Sequence, residues 1–544
     1  MQSGQVTRRG FLGAAAAVAA IPVTGVRAAA KFKRSIVTSP EGQKALASYA
    51  KGVEAMLKLP ADDPRNWFRN AFIHLMDCPH GNWWFYVWHR GYLGYFEQTI
   101  RSLSGDPDFA LPYWDWTQLL TPPPSPTWGI PDMLFNGLLT PTDAAFQPYT
   151  ANLAVFTTFI KPTLEKYWNE LNPAQKAQLN ARGYASFDDD VWNGQAGVTG
   201  GGVAGNEAFA VTCSARYLSR TNPTFDTDTA TAVRRTTVAA GLLAPKFYDP
   251  TTAFLSFTSA KTASHNTQPD QTTVFSVLEG QPHNLVHNDI GGVGAIDPGP
   301  YGNMTNFLSP VDPIFFLHHA NIDRLWDVWT RRQISLNQPH LPPEDELRVL
   351  SNEPFLFFAD FKGDHILNGK AGDYLSTDRF DYEYDRLGSG EELIEAPKPV
   401  AQAAAPVAAE HIAANAASVR VSAAVMPQRR LATEIPRPLM AQITLQRPAE
   451  SREVRIFVGA PADATNLGTD SPFYAGTVGF FGPPMPGMQM SHEATFAMPL
   501  PPQLPALAAP IAAAETHADL TVTVAPVGGK KGETVLKAVS IGTL

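Results

Sequence analysis

Two widely separated histidine clusters constrain this chain more than anything else in it. Of its 13 histidines, seven lie in two short stretches: His74, His80 and His89 early in the chain, and His283, His287, His318 and His319 beyond its middle. Both stretches are rich in aromatic and aliphatic residues at helical spacing, which puts the imidazoles in a core, where an unpartnered polar ring is costly. A fold that buries seven imidazoles must supply them with hydrogen-bond partners or with metal.

The local patterns say how the rings are carried. Trp67, Phe68, Ala71, Phe72 and Leu75 recur roughly every three to four residues, so His74 belongs to a buried helix, while Pro79 and Gly81 hold His80 on a turn. His89 belongs to a second apolar helix that ends near Gly105-Asp106-Pro107. In Pro282-His283-Asn284-x-x-His287 the proline suits a first helical turn, and the i, i+4 spacing puts both imidazoles on one face, where a single ion can bridge them. Asp312-Pro313 starts the helix of His318 and His319 as N-cap and first helical residue. Adjacent helical residues point about 100° apart, so these two do not share an ion.

Two sets of three histidines with no carboxylate form a neutral nitrogen shell. Imidazole suits copper, zinc, iron and nickel, but a di-iron bundle brings Glu and Glu-x-x-His ligands that are missing here. Copper leads and zinc follows; for a single one of these histidines, hydrogen bonding in a core would be the default.

The motifs Cys78-x-His80, Phe85-x-x-Trp88-His89-Arg90, Leu111-Pro-Tyr-Trp-Asp-Trp116, His283-Asn284-x-x-His287 and Asp312-Pro313-x-Phe315-x-x-His318-His319 resemble, in this order, those of the type-3 copper proteins: tyrosinases, catechol oxidases and molluscan haemocyanins. The resemblance runs from about residue 40 to 386 and returns more weakly in the C-terminal hundred. It implies two copper ions with O2 as cosubstrate, one ion held by His74, His80 and His89, the other by His283, His287 and His319, with His318 and Phe315 supporting the site. Neutral imidazoles favour the reduced ions that give electrons to O2, and a phenol is the expected small substrate.

There are two cysteines, Cys78 and Cys213, which excludes a disulfide scaffold and leaves one disulfide, two free thiols or another fate. The resemblance implies a thioether from Cys78 to the His80 ring, as in fungal tyrosinases and molluscan haemocyanins, which would lock that ring's orientation. By itself each cysteine reads as a buried inert thiol.

Arg8-Arg9, the Ala/Val-rich run after them and the small residues near Ala28 make residues 1–30 a twin-arginine export signal, so the mature protein is expected to be periplasmic or secreted, with no membrane role after export. A net charge of -9 without a basic stripe argues against nucleic acid or an anionic membrane as partner. The oligomeric state is open. Roughly 500 remaining residues are enough for two or three domains. We place a mainly α catalytic domain, a copper-binding helical bundle with long loops, at 31–386, closed by Tyr382-x-Tyr384. An Ala/Pro-rich linker follows at 387–438, then a small all-β sandwich at 439–544, where short alternating runs are separated by Gly, Pro and Asn. Residues 120–275 show little periodicity and are expected to be loops.

In plant, fungal and molluscan relatives such a β-domain covers the copper site with an apolar side chain, which makes Phe480 or Phe481 the candidate plug; ordinary sandwich core is the plainer reading of both. The Met-rich stretch Met485 to Met490 with His492 could pass Cu(I) or simply pack. Glu279 and Asn284 match the pair thought to hold a proton-accepting water in tyrosinases, against a dipole-favoured acid and a surface amide as plainer readings. Asn306 falls where relatives place a gate. Tyrosinase is the leading reading, with catechol oxidase second. A haemocyanin-like carrier is disfavoured because each copper motif occurs once, and a di-zinc hydrolase because no acid falls at ligand spacing.

Overall fold

A computed structural model of the protein describes residues 29–193, 216–266, 273–292, 302–386 and 412–424, and residues 438–544 except for 449–450, 462–463, 465–466, 482–492, 513–516 and 529–533. The export signal up to residue 28, Cys213, most of the proposed linker and the Met-rich stretch with His492 lie outside the described residues.

The helical part is built on α1 (Pro40–Lys58), α2 (Trp67–Asp77), α3 (Phe85–Ser104), α4 (Asn284–Gly291) and α5 (Ile314–Ser335). Capping follows the sequence: Ser39 accepts from Gly42 N with Pro40 at the first position, and Asn66 accepts from Phe68 N and Arg69 N. At α5 the N-cap is Pro313, one residue later than the sequence suggests; Asp312 Oδ1 accepts from Ile314 N (3.0 Å), and Arg216 grips its carboxylate with two nitrogens at 2.6 Å. Pro282 lies within a wide π turn, Glu279–His283, that runs straight into α4, so the helix bearing His287 starts later than the sequence suggests.

Helices α3 and α5 are joined by buried charge. Asp323 accepts from Arg90 Nε (2.7 Å), Arg34 Nη1 (3.2 Å) and the hydroxyls of Tyr382 and Tyr384. The two tyrosines belong to β3 (Tyr382–Tyr384), which runs parallel to β1 (Phe32–Arg34), so the Tyr-x-Tyr motif closes the domain by completing an ion network. Residues next to His89 and one turn after His319 are thereby fixed together.

Two boundaries need correction. The stretch 120–275 is not all loop: it holds helices Leu153–Glu170, Pro173–Ala181, Thr227–Ala232 and Arg235–Leu242; in the first, Phe156, Ile160, Leu164, Tyr167 and Trp168 recur at helical spacing around an interior Pro162, and the other three are short and largely Thr, Ala and polar residues. The stretch 387–438 is not all linker, because β4 (Ile412–Ala416) and β5 (Ser418–Ala424) join the C-terminal sheets. Alanine there supplies too little apolar contrast for the alternation to show.

With β2 (Thr273–Phe275), β6 (Leu439–Gln446), β7 (Glu453–Val458), β8 (Tyr474–Gly479), β9 (Glu493–Leu500), β10 (His517–Pro526) and β11 (Leu536–Thr543), the sheets run β5-β10-β7-β8 and β2-β9-β6-β11-β4. Leu445, Ile456, Phe496, Leu520 and Val539, from both sheets, share one apolar core. A helix, Pro505–Ala512, interrupts the strands. Strand β2 belongs by sequence to the helical part yet pairs in parallel with β9, Phe275 stacking on Phe496 at 5.1 Å.

Candidate metal centre

The helices bring both histidine clusters into one buried chamber. Possible ligand atoms of His74, Cys78, His80 and His89 lie within 4.8 Å of one another, and so do those of His283, His287, His318 and His319. The clusters adjoin: His89 stacks on His319 at 4.1 Å, and His80 lies 5.8 Å from His283. Phe315 packs against His319 (4.2 Å) and His74 (5.0 Å), and Phe85 against His89 (4.7 Å) and His283 (4.8 Å), so each phenylalanine touches both clusters.

Hydrogen bonds set the proton positions. Nδ1 of His74, His89 and His287 each lies 2.7 Å from a backbone carbonyl, of Phe307, Phe85 and Met304 respectively. A carbonyl only accepts, so Nδ1 carries the proton and Nε2 keeps its lone pair. His283 Nδ1 donates to Asn284 Oδ1 (2.8 Å), and Asn284 Nδ2 donates to Gly479 O (2.6 Å), which fixes the amide's orientation. His318 differs: Trp116 Nε1 donates to its Nδ1 (3.1 Å), so its Nε2 bears the proton and offers a donor where the others offer a lone pair. His318 sits in the second cluster with the wrong tautomer for a ligand.

Burial keeps the rings neutral. It pushes His74 and His283 down to about 3, and His80, His89, His287 and His319 well below the ordinary imidazole value. Nε2 of His74, His283 and His318 and Nδ1 of His319 are buried without a hydrogen-bond partner, and Nε2 of His287 and of His319 face each other at 3.1 Å, so both clusters hold imidazole nitrogens of the kind a nitrogen-preferring ion takes. A further histidine shows the contrast. Burial lowers His265, but Asp77 (2.9 Å) and Glu353 (2.6 Å) on its two nitrogens raise it above the ordinary value and tie it to the end of α2. It escaped sequence reading because both acids are distant in the chain.

Cys78 Sγ stands 3.9 Å from both ring nitrogens of His80, on the plane that bisects the ring through Cε1, and 3.3 Å from His89 Nε2. Gly81, at φ +66°, makes the turn after His80; a Cβ there would meet Thr273 Cγ2 at 2.2 Å. Its N–H donates to Glu279 Oε1 (2.6 Å), and Ser259 Oγ donates to Oε2 (2.5 Å). Burial lifts the Glu279 carboxyl to about 8 despite these donors. Glu279 and Asn284 therefore face different partners and share no direct hydrogen bond.

The two candidate plugs sit in different surroundings. Phe481 lies 4.5 Å from His80, 4.7 Å from His287 and 5.8 Å from His283, within the helical core, whereas Phe480 packs on Phe496 (5.0 Å) inside the sheets. The two rings lie just past the end of β8 and point to opposite sides, so only one of the pair reaches the histidines. Asn306 is buried, but the ring beside His80 (6.1 Å) and Phe481 (5.5 Å) is that of Phe307, one residue on.

Residues 62–332 match the family described as the common central domain of tyrosinase. A latent-form chloroplastic polyphenol oxidase of Prunus armeniaca is 26% identical over 52% of this chain and 38% of its own length. A tyrosinase of a Hahella species is 24% identical over 52% of this chain and 50% of its own. Half or less of these relatives' length is thus spanned. In fold, a latent apple tyrosinase superposes with a TM-score of 0.52 at 18% identity, over 96% of this chain and 99% of that one. A latent aurone synthase gives 0.53 at 18%, over 95% and 89%. Two such histidine clusters within the matched residues are the pattern that holds two copper ions as cofactor.

Proposed function

On the premise that residues 62–332 carry a tyrosinase-family domain, we propose that the protein is a tyrosinase, hydroxylating monophenols at the ortho position and oxidising o-diphenols to o-quinones. The observation that carries the reading is the pair of adjoining, neutral, three-histidine sets in one dry chamber. His74, His80 and His89 would hold one copper and His283, His287 and His319 the other. When bound, the copper pair supplies the electron transfer between phenol and O2.

The chain's own residues supply the rest. Backbone carbonyls of Phe307, Phe85 and Met304 and the Asn284 amide aim the ligand lone pairs. His318, its Nε2–H set by Trp116, contributes a donor. Phe85, Phe315 and Phe307 exclude water. Glu279, raised to about 8, exchanges a proton near neutral pH, as acceptance of a phenol proton requires, and Asn284 assists through a water. A thioether between Cys78 and His80 would fix the one first-cluster ring without a carbonyl partner; intact-protein mass lowered by about two hydrogens and indifferent to reductant would reveal it. Phe481 keeps the enzyme latent, and the Arg8-Arg9 signal exports it. No described helix is long and apolar enough to cross a membrane.

One observation favours catechol oxidation alone: both ends of the Asn284 amide are already engaged, by His283 and Gly479. The test is copper content with O2 uptake, on catechol and then on a monophenol, for the mature chain beside Phe481→Ala. Two coppers per chain and turnover of both substrates are expected. Zinc in their place, or two coppers without catechol turnover, overturns the enzyme reading; turnover of catechol alone moves it to catechol oxidase.

A further inference from the structure

Strand β8 is held at the chamber in an unusual way. Three amide side chains from one helical face donate to three of its backbone carbonyls or those just after it: Gln281 Nε2 to Thr477 O (3.2 Å), Asn284 Nδ2 to Gly479 O (2.6 Å) and Asn288 Nδ2 to Phe480 O (3.2 Å). All three amides are buried, 2% exposed or less. They read backbone, not side chains, and the segment they read ends in an aromatic ring placed among His80, His283 and His287. Relative to that ring, the carbonyls are those one, two and four residues before it.

A small catechol that replaces Phe481 would leave this amide row to water. An extended polypeptide that carries a phenol would engage it as β8 does. Resting on the tyrosinase reading above, we infer that the preferred substrate class is a phenol borne on an extended peptide, a tyrosyl or dihydroxyphenylalanyl residue whose preceding carbonyls bind Gln281, Asn284 and Asn288. The approach is close at Gly479, where an added Cβ would stand 3.1 Å from Leu285 Cδ2, 3.3 Å from Asn284 Cβ and 3.4 Å from Asn288 Nδ2. Glycine two residues before the phenol is therefore favoured. The chemistry is unchanged: two catechols lose two electrons and two protons each, and one O2 becomes two waters.

The experiment uses the full-length copper-loaded chain and two catechols, Ac-Thr-Val-Gly-Phe-Dopa-NH2 and Ac-Dopa-NH2. Both need the same open state, so the closed fraction lowers both kcat/KM values alike and cancels in their ratio. The peptide is expected to exceed the amide about tenfold, from hydrogen bonds each worth a few-fold. Gln281→Ala/Asn288→Ala should bring the ratio close to one, and valine in place of the peptide's glycine should lower it. A ratio of one in the unmodified chain overturns the inference while leaving the oxidase reading intact; absence of turnover on both catechols, in the unmodified chain and in Phe481→Ala alike, overturns the oxidase reading, and the inference with it. A readout independent of copper is hydrogen exchange of residues 474–481 in the metal-free chain. Ac-Thr-Val-Gly-Phe-Phe-NH2 should accelerate it and Ac-Phe-NH2 should not; equal responses to the two also overturn the inference.

Discussion

The two histidine clusters do the same job with different support. In the first, His74 and His89 lean on carbonyls of the helical part, and the third ring, His80, has a sulfur beside it. In the second, His283 leans on a side-chain amide whose other end grips the cover, and the third ring, His319, is held by stacking on His89 and Phe315. The first cluster meets the C-terminal sheets through a ring, Phe481; the second also meets them through hydrogen bonds. Access and ligand geometry are thus coupled on one side of the chamber.

The largest expected effect is on the ligands. His74→Ala, His283→Ala and His319→Ala should each lose a copper and essentially all oxidase activity, whereas His318→Ala should keep two coppers, because its lone pair is already taken by Trp116. Copper per chain decides it, and a His318→Ala chain with one copper would break the distinction. Next, Asn284→Ala should slow monophenol hydroxylation about 10²-fold more than catechol oxidation. Equal losses, measured on tyrosine and dihydroxyphenylalanine, would restrict Asn284 to orienting His283.

The neighbouring phenylalanines should separate cleanly. Phe481→Ala should raise catechol turnover roughly tenfold, about 1.4 kcal/mol of released blockage. Phe480→Ala should instead cost about 3–5 kcal/mol of stability, seen as a lower melting temperature. The last effect concerns pH. Glu453 on β7 is buried with neither carboxylate oxygen bonded, and burial, together with Asp226, Asp228 and Asp289, holds its carboxyl well above the ordinary value near 4.5. Asn288 also faces it, and Arg455 is engaged by Asp228. A raised folded value means that the stabilisation is fully present below about 4.5 and is lost as pH rises toward it, by up to about 1.4 kcal/mol per pH unit. Glu453→Gln should flatten the pH dependence of melting between 5 and 8; an unchanged slope would remove Glu453 from the seam.

Much of the site was legible because metal chemistry restricts residue type and helices restrict spacing. His283 and His287, one turn apart, could only share a face, and Asp312-Pro313 could only begin a helix. What stayed hidden depends on partners far along the chain. Nothing local says that Trp116 donates to His318 Nδ1, or that Asp77 and Glu353 flank His265. Phe480 and Phe481 are equivalent until the path of the chain past β8 is known, and the short alternation of Val419 and Val421 in β5 is lost in the Ala/Pro-rich sequence around it.

Strand β2 has a wider meaning. Its three residues leave the helical part to become an edge of the cover's own sheet, and Thr273 presses on the turn that presents His80. The cover is therefore no interchangeable cassette. Severing the chain that connects the two parts leaves this pairing in place, and melting should be a single cooperative event. A recombinant that grafts a foreign β-module onto the helical part would strand residues 273–275 without a neighbour and loosen the turn they buttress.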